Sequence, residues 1–134
     1  MIRQLDDRTF VSGQIDPADV AALKSSGVTM IICNRPDDED PGQPPVAAIE
    51  RAASDAGLQF RHVPIIRGIG PSDVEAMREA MEAADGKVFA YCRTGNRSTL
   101  TWAVARRRQG ATIEELEQAA TKAGIDLSPI AHLL

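Results

Sequence analysis

The sequence predicts an α/β fold in which a mostly parallel sheet of about four strands is flanked by helices. Three observations lead to this prediction. The chain has 134 residues, the usual size of one domain with its own core. Its 43% hydrophobic and 25% charged residues are an ordinary globular balance. Strand-sized apolar segments alternate with helical segments, a pattern typical of parallel sheets covered on both faces.

Four segments have the composition of strands. Each is rich in β-branched or aromatic residues and lies next to a glycine turn. They cover residues 9–14, 28–33, 58–66 and 87–92. Residues 28–33 are apolar almost throughout, as expected of a central parallel strand that is buried on both faces.

The predicted helices each have a start or stop signal at one end. They cover residues 17–26, 46–56, 72–84, 98–109 and 113–123, and a short helical turn begins at Ser128. Ser72 with Glu75, and Thr112 with Glu115, have capping-box spacing, in which a hydroxyl and a carboxylate satisfy free backbone amides. We therefore expect these two pairs to open the third and the last helix.

Charge and targeting signals exclude several classes of protein. Fifteen Lys and Arg against nineteen Asp and Glu give a net charge of −4, which argues against a broad nucleic-acid or anionic-membrane surface but not against one local basic pocket. No apolar run approaches the roughly 20 residues that span a bilayer, and the N-terminal segment lacks a signal-peptide core. Cys33 and Cys92 form no CxxC pair and are predicted to be free thiols. We expect a single cytoplasmic domain over residues 1–134, with neither nucleic acid nor membrane as a partner.

The topology predicts where a ligand binds. In open parallel sheets, ligands bind beyond the carboxyl ends of the strands. This rule brings together three loops, which begin at Asn34, Arg67 and Cys92.

The most informative segment runs from Cys92 to Ser98, where a strand leads into a helix. Backbone amides at such a turn can surround an anion, and Gly95 permits the positive φ that a tight turn needs. Arg97 adds a planar fork of donors for an oxyanion, and the same positive field stabilises a thiolate at Cys92. We predict Cys92 and Arg97 as catalytic residues. The predicted anion-binding residues are Arg93, Thr94, Gly95, Asn96 and Ser98.

Residues of neighbouring loops form a candidate rim for this site. They are Asn34, Arg35, Arg67 and Asp73. Each also has a structural interpretation: Asn34 and Arg35 as turn residues before Pro36, Arg67 as part of a permissive turn, and Asp73 as a helix-capping residue.

Other polar residues near the candidate site have open assignments. Arg93 either steers substrate or pairs with an acid of the run 37–40, and that run is most simply a solvated loop, with a charged lid as the alternative. We expect Cys33 to be a core thiol rather than a resolving thiol. His62 and His132 fit no metal spacing, so neither a metal nor an organic cofactor is implied.

Several stretches resemble known families. The segment AYCRTGNRS at 90–98 resembles the active-site loop of single-domain rhodaneses and, more loosely, of cysteine-dependent phosphatases. With VSGQIDPADVAAL at 11–23, ICNRPDDEDPGQP at 32–44 and HVPI at 62–65, it makes the chain resemble the bacterial beta-lactamase-hydrolase-like family's phosphatase-like domain. The resemblance implies a three-layer fold like that of dual-specificity phosphatases, with Cys92 as nucleophile and Arg97 as anion binder. Because that family often accompanies sulfide-oxidising or metallo-hydrolase domains, it also suggests such a partner protein.

Two departures from the phosphatase pattern favour sulfur chemistry. Four residues separate Cys92 from Arg97, as in rhodaneses, whereas cysteine phosphatases have five. After HVPI, where phosphatases carry a general-acid aspartate, this chain has Ile66-Arg67-Gly68. We therefore expect a sulfurtransferase that carries sulfane sulfur as a Cys92 persulfide. The alternatives are a phosphatase that acts through a cysteinyl-phosphate and a non-catalytic anion-binding module. The expected ligand is a small sulfur-containing or phosphorylated anion.

Overall fold

The computed structural model describes residues 2–134, which form a five-stranded sheet. The strands are β1 (Arg3–Gln4), β2 (Thr9–Ser12), β3 (Val28–Cys33), β4 (Gln59–His62) and β5 (Lys87–Tyr91). Their order across the sheet is β1-β2-β5-β3-β4. Within residues 2–134, four strands run parallel and β1 runs antiparallel to β2. The predicted mostly parallel α/β fold is confirmed.

Five α-helices surround the sheet. They are α1 (Val20–Ser25), α2 (Val46–Asp55), α3 (Pro71–Ala83), α4 (Asn96–Arg108) and α5 (Ile113–Ala123), with short 3-10 helices at Pro17–Asp19 and Ser128–Leu133. Within residues 2–134, no helix is both long and apolar enough to cross a membrane.

Two apolar clusters form the layers on either side of the sheet. Met30 and Ile32 of β3 pack with residues of α3, α4 and α5. Ile31 and Cys33, which alternate with them along the strand, pack with residues of α1 and α2. Because successive side chains of a strand point to opposite faces, the apolar run of β3 supplies both cores. The molecule therefore has three layers, with a sheet between two helical layers.

The differences from the predicted elements have local causes. β4 ends at His62 rather than at residue 66, because Pro64 has no N–H to donate to a ladder. The amides of Val63 and Ile65 on either side still donate to the Cys33 and Asn34 carbonyls. The sheet has one strand more than predicted. This strand, β1, was not predicted because two residues are too few to show a periodicity.

The start of α3 corrects one predicted cap. The N-cap is Gly70 rather than Ser72, and Pro71 occupies the first helical position, where its missing N–H costs nothing. The Asp73 carboxylate accepts the Gly70 N–H at 2.8 Å. The cap predicted for the last helix is confirmed, since Thr112 accepts the Glu115 N–H at 3.2 Å.

The parallel strands end in register. Ser12 pairs with Tyr91, Tyr91 with Cys33, and Cys33 with His62. These four residues are the last of their strands, so the segments that follow β2, β5, β3 and β4 all leave the sheet at one edge.

Candidate active site

The segment that follows β5, residues 92–98, is called the Cys92 loop here. The Cys92 side chain is completely buried, and its sulfur accepts the Gly95 N–H at 3.1 Å. Gly95 has a φ of +93°, a backbone conformation that is unfavourable for residues with a Cβ. The loop therefore has a tight turn that is closed over the cysteine.

Helix α4 begins directly after this turn. Its Thr99 N–H donates to the Gly95 carbonyl at 3.1 Å, so the preceding amides of Arg97 and Ser98 have no acceptor within the helix. Such free amides, with the helix dipole behind them, favour a negative charge at the N-terminus. The Ser98 hydroxyl is also buried and has no hydrogen-bond partner among the described residues.

Arg97 makes three hydrogen bonds with protein groups. Nη1 donates to Oε2 of Glu39 and to the Ile65 carbonyl, each at 2.7 Å, and Nη2 donates to Oε1 of Glu39 at 2.7 Å. The ion pair with Glu39 is the main cause of a raised pKa at Arg97, and the neighbouring Cys92 sulfur adds to it. Arg97 is thus a fixed cation beside the buried sulfur.

Glu39 lies in the segment between β3 and α2, residues 34–45, which we call the acidic loop. Arg35 in the same loop is only 2% exposed and is held by three side chains. Its Nε donates to Glu39 at 2.8 Å, Nη1 to Gln14 at 2.9 Å and Nη2 to Asp40 at 2.6 Å. Arg35 therefore organises this loop from within and does not line an open rim.

The anion-binding residues predicted from the sequence have different surroundings. Arg93 pairs through Nε with Asp40 at 3.0 Å, which is the second of the two alternatives predicted for it. Thr94 and Asn96 are exposed, and the Asn96 N–H donates to the Thr94 hydroxyl at 3.3 Å. Gly95 and Ser98 are buried. The structure brings all five into one turn with Cys92 and Arg97.

Among the described residues, none of the predicted rim residues makes a hydrogen bond with Cys92. Several of them have structural roles instead. Asn34 is buried and donates to the Val63 carbonyl at 3.0 Å, which joins the ends of two strands. Asp73 caps α3, as its structural interpretation predicted. Arg67 is exposed.

Sequence reasoning missed Glu39 as the partner of Arg97, whereas an acid of the run 37–40 was one of the two alternatives for Arg93. The run was interpreted most simply as a solvated loop, with a charged lid as the alternative, yet the Glu39 and Asp40 carboxylates bind arginines of the Cys92 loop. The available signal was their position: an acid-rich loop that follows a central strand must lie at the same edge as the cysteine.

Cys33 is a free, buried thiol, as predicted for a core residue. Its sulfur lies 3.2 Å from the Arg35 carbonyl oxygen, to which it donates. Burial raises the pKa of Cys33. A neutral, hydrogen-bonded thiol of this kind is a poor nucleophile at neutral pH.

Substituting Gly95 is expected to destabilise the protein. Gly95→Ala places a methyl group in a positive-φ conformation and about 3.4 Å from the Ser12 carbonyl carbon. Such backbone strain costs roughly 1–3 kcal/mol, which urea unfolding measures. Gly110→Ala is the matched control, because Gly110 has a φ of +104° and no atom within 4 Å of an added Cβ. Equal losses in the two variants would show that the contacts of the added methyl group with Arg3 and Ser12 contribute nothing.

The Glu39–Arg97 pair predicts a pH dependence of stability. Hydrogen bonding to Arg97 lowers the pKa of Glu39 below its ordinary value of 4.5. Because the folded-state pKa is the lower one, the pair contributes fully above the unfolded-state pKa, and the contribution is lost as the pH falls through the folded-state pKa. Below pH 4.5 we expect the free energy of unfolding to fall more steeply in the wild type than in Glu39→Gln. Parallel urea-unfolding curves would contradict this.

The sheet order, the cysteine at a strand-to-helix turn and the adjacent arginine define a cysteine-phosphatase-like α/β fold. A candidate phosphatase from Neisseria meningitidis has the same fold, with a TM-score of 0.83 and 37% identity over 98% of this chain and 95% of that one. PTPMT1, in a complex with PI(5)P, gives a TM-score of 0.79 at 14% identity and covers 98% of this chain and 91% of that one. The similarity to PTPMT1, at 14% identity, concerns the fold alone.

The chain belongs to the family of the beta-lactamase hydrolase-like protein, phosphatase-like domain, whose model matches residues 1–109. A beta-lactamase hydrolase-like protein from Agrobacterium fabrum is 32% identical over 108 residues, which is 80% of this chain. The chain spans only 25 to 30% of the length of the curated relatives that it matches. The family predicted from the sequence motifs is therefore confirmed.

Proposed function

We propose that this chain is a cysteine-dependent phosphatase with Cys92 as nucleophile and Arg97 as the anion-binding cation. The observation that carries the proposal is the geometry of the Cys92 loop, in which the Gly95 N–H donates to the sulfur and Arg97 lies beside it. The family and the shared fold support the same class of chemistry.

The reaction has two steps. The Cys92 thiolate attacks phosphorus, a sulfur–phosphorus bond forms, and the bond from phosphorus to the leaving oxygen breaks. Water then attacks the cysteinyl-phosphate, the sulfur–phosphorus bond breaks, and inorganic phosphate leaves while the thiolate is restored. The free amides at the start of α4 and the Arg97 guanidinium stabilise the charge on the transferred phosphoryl oxygens in both steps.

The surroundings of the carboxylates near the site indicate which leaving groups the reaction can expel. Glu39 is bound by Arg35 and Arg97, and its lowered pKa keeps it ionised at neutral pH. Asp40 is bound by Arg35 and Arg93. Since Glu39 is held ionised by two arginines, it is a poor proton donor. We therefore propose aryl phosphates, whose aryloxide leaves without protonation, as better substrates than alkyl phosphates.

The comparisons favour this function over the sulfurtransferase predicted from the sequence. The solved structures that resemble the chain include candidate phosphatases, and these matches do not support a sulfide-oxidising or metallo-hydrolase partner. One observation keeps persulfide chemistry as a second candidate. Four residues separate Cys92 from Arg97, and this shorter loop makes a narrower cradle than the five-residue phosphatase loop.

Parallel assays distinguish the two functions. We expect the protein to hydrolyse p-nitrophenyl phosphate and orthovanadate to inhibit the reaction, with no thiocyanate formed from thiosulfate and cyanide. Thiocyanate formation without phosphate hydrolysis would overturn the proposal in favour of sulfur transfer. Neither activity, with oxyanion binding retained, would indicate a non-catalytic anion-binding module.

A further inference from the structure

The first strand of the sheet carries an arginine towards the Cys92 loop. Arg3 of β1 pairs with Val11 of β2. Residues that are paired across antiparallel strands have their side chains on the same face of the sheet. Val11 packs in the apolar cluster of α3, α4 and α5, so the Arg3 side chain lies on the face that α4 covers.

The Arg3 guanidinium contacts Gly95, the N-cap of α4. A Cβ at Gly95 would lie 3.3 Å from Nη1 of Arg3, so the missing side chain of Gly95 leaves room for the guanidinium. The Gly95 amide nitrogen is 3.1 Å from the Cys92 sulfur. With ordinary bond lengths between these points, Nη1 of Arg3 lies within about 9 Å of that sulfur.

This cation is not compensated by another protein group. Nη1 of Arg3 is buried and has no hydrogen-bond partner in the part of the chain that the structure describes. No acid among residues 2–134 forms an ion pair with Arg3. A cation is unfavourable at a helix N-terminus, and a buried donor without an acceptor costs free energy. A positive charge at this place stabilises the protein only when an anion lies at the start of α4.

We propose that Arg3 is a second cation of the anion site, which strengthens the binding of a substrate oxyanion through its charge. The inference rests on the proposed function, because the oxyanion is the ligand of that same site. Since Nη1 is buried beside Gly95, this atom touches neither the substrate nor the reacting sulfur. Arg3 is therefore a positioning residue that acts on the oxyanion through space, whereas Arg97 is the proposed binding cation.

A purely structural role for Arg3 makes a different prediction. If its side chain only filled the space beside Gly95, an uncharged side chain with a similar stem would serve as well. Methionine keeps an unbranched apolar stem and removes the charge, whereas lysine keeps the charge and removes the planar guanidinium. These two replacements separate the charge of Arg3 from its shape.

Tungstate, an oxyanion probe, tests the charge of Arg3 in isothermal titration calorimetry of the whole chain. We expect Arg3→Met to weaken tungstate binding by about fivefold. Coulomb's law gives roughly twofold to twentyfold for one unit charge at this distance, for effective dielectric constants of about 80 and 20. Arg3→Lys keeps the charge and should bind tungstate within about twofold of the wild-type affinity.

Arg8→Met is the matched control. It makes the same charge change in the same N-terminal segment, but at the opposite edge of the sheet, where Arg8 donates to the Ala84 and Gly86 carbonyls just before β5. We expect this variant to bind tungstate with the wild-type affinity, because its charge lies far from the start of α4.

Three results would overturn the role of Arg3. Equal weakening in Arg3→Met and Arg3→Lys would show that shape rather than charge matters. Unchanged binding in Arg3→Met would show that the charge contributes nothing, and an equal loss in Arg8→Met would show an effect of overall charge. If the wild type bound no tungstate, the proposed function would fail together with this inference. Tungstate binding that depends on Arg3, without hydrolysis of p-nitrophenyl phosphate, would refute the phosphatase alone, so the two failures are distinguishable.

Discussion

Replacing Cys92 with serine is expected to abolish hydrolysis of p-nitrophenyl phosphate, with a loss in kcat of more than about 10³-fold, as for other enzymes that lose their nucleophile. A serine hydroxyl is a much weaker nucleophile than a cysteine sulfur, so it cannot replace Cys92, whose sulfur accepts the Gly95 N–H. The variant should still fold and bind tungstate, because the loop amides and Arg97 remain.

Cys33→Ala provides the matched control for that loss. Cys33 is the chain's other cysteine, and its thiol packs in the apolar cluster with α1 and α2. We expect this variant to keep its activity, with a modest loss of stability from the buried atoms removed. Activity that survived in Cys92→Ser, or vanished equally in Cys33→Ala, would contradict the assignment of the nucleophile.

The second large effect concerns Arg97. Arg97→Ala removes the cation beside the sulfur and leaves Glu39 near the anion site with Arg35 as its remaining arginine partner. We expect kcat/KM for p-nitrophenyl phosphate to fall by about 10²–10³-fold, the usual cost of deleting one preorganised donor to a developing anion. The affinity for tungstate, an oxyanion probe, should fall as well, because Arg97 is the proposed anion-binding cation.

Arg78→Ala is a suitable control for Arg97→Ala. Arg78 lies on the surface of α3 and pairs with Glu75 and Glu82 in a comparable bidentate manner, on an element outside the Cys92 loop. Exposed ion pairs of this kind contribute little to stability. A similar fall of kcat/KM in both variants would mean that the overall charge of the protein, rather than the position of Arg97, determines the rate.

The elements with strong patterns were predictable from the sequence. The apolar run of β3 was predicted with its observed bounds, and the glycine-containing turn after β5 placed the cysteine at the start of a helix. Local signals of this kind depend on backbone chemistry and periodicity, which the sequence carries directly. The start of α3 was wrong because two cap patterns overlap there, and Pro71 decides between them.

The ion pair between Glu39 and Arg97 was not predictable from local patterns, although a pair between Arg93 and the acidic run was one of the predicted alternatives. Glu39 lies 58 positions from Arg97, and an acidic run in a loop has the same composition whether it is solvated or paired. Only the strand order, which places β3 next to β5, brings these loops together. For the reaction, the fold shared with a candidate phosphatase favours the predicted alternative, a phosphatase, over the sulfurtransferase expected from the length of the Cys92 loop.

Mass spectrometry after a rapid acid quench tests the central role of Cys92 most directly. Wild-type protein mixed with p-nitrophenyl phosphate and quenched during turnover should carry one phosphoryl group, located on the peptide that contains Cys92. Turnover without any such adduct, or an adduct that forms equally in Cys92→Ser, would contradict a cysteinyl-phosphate at this residue.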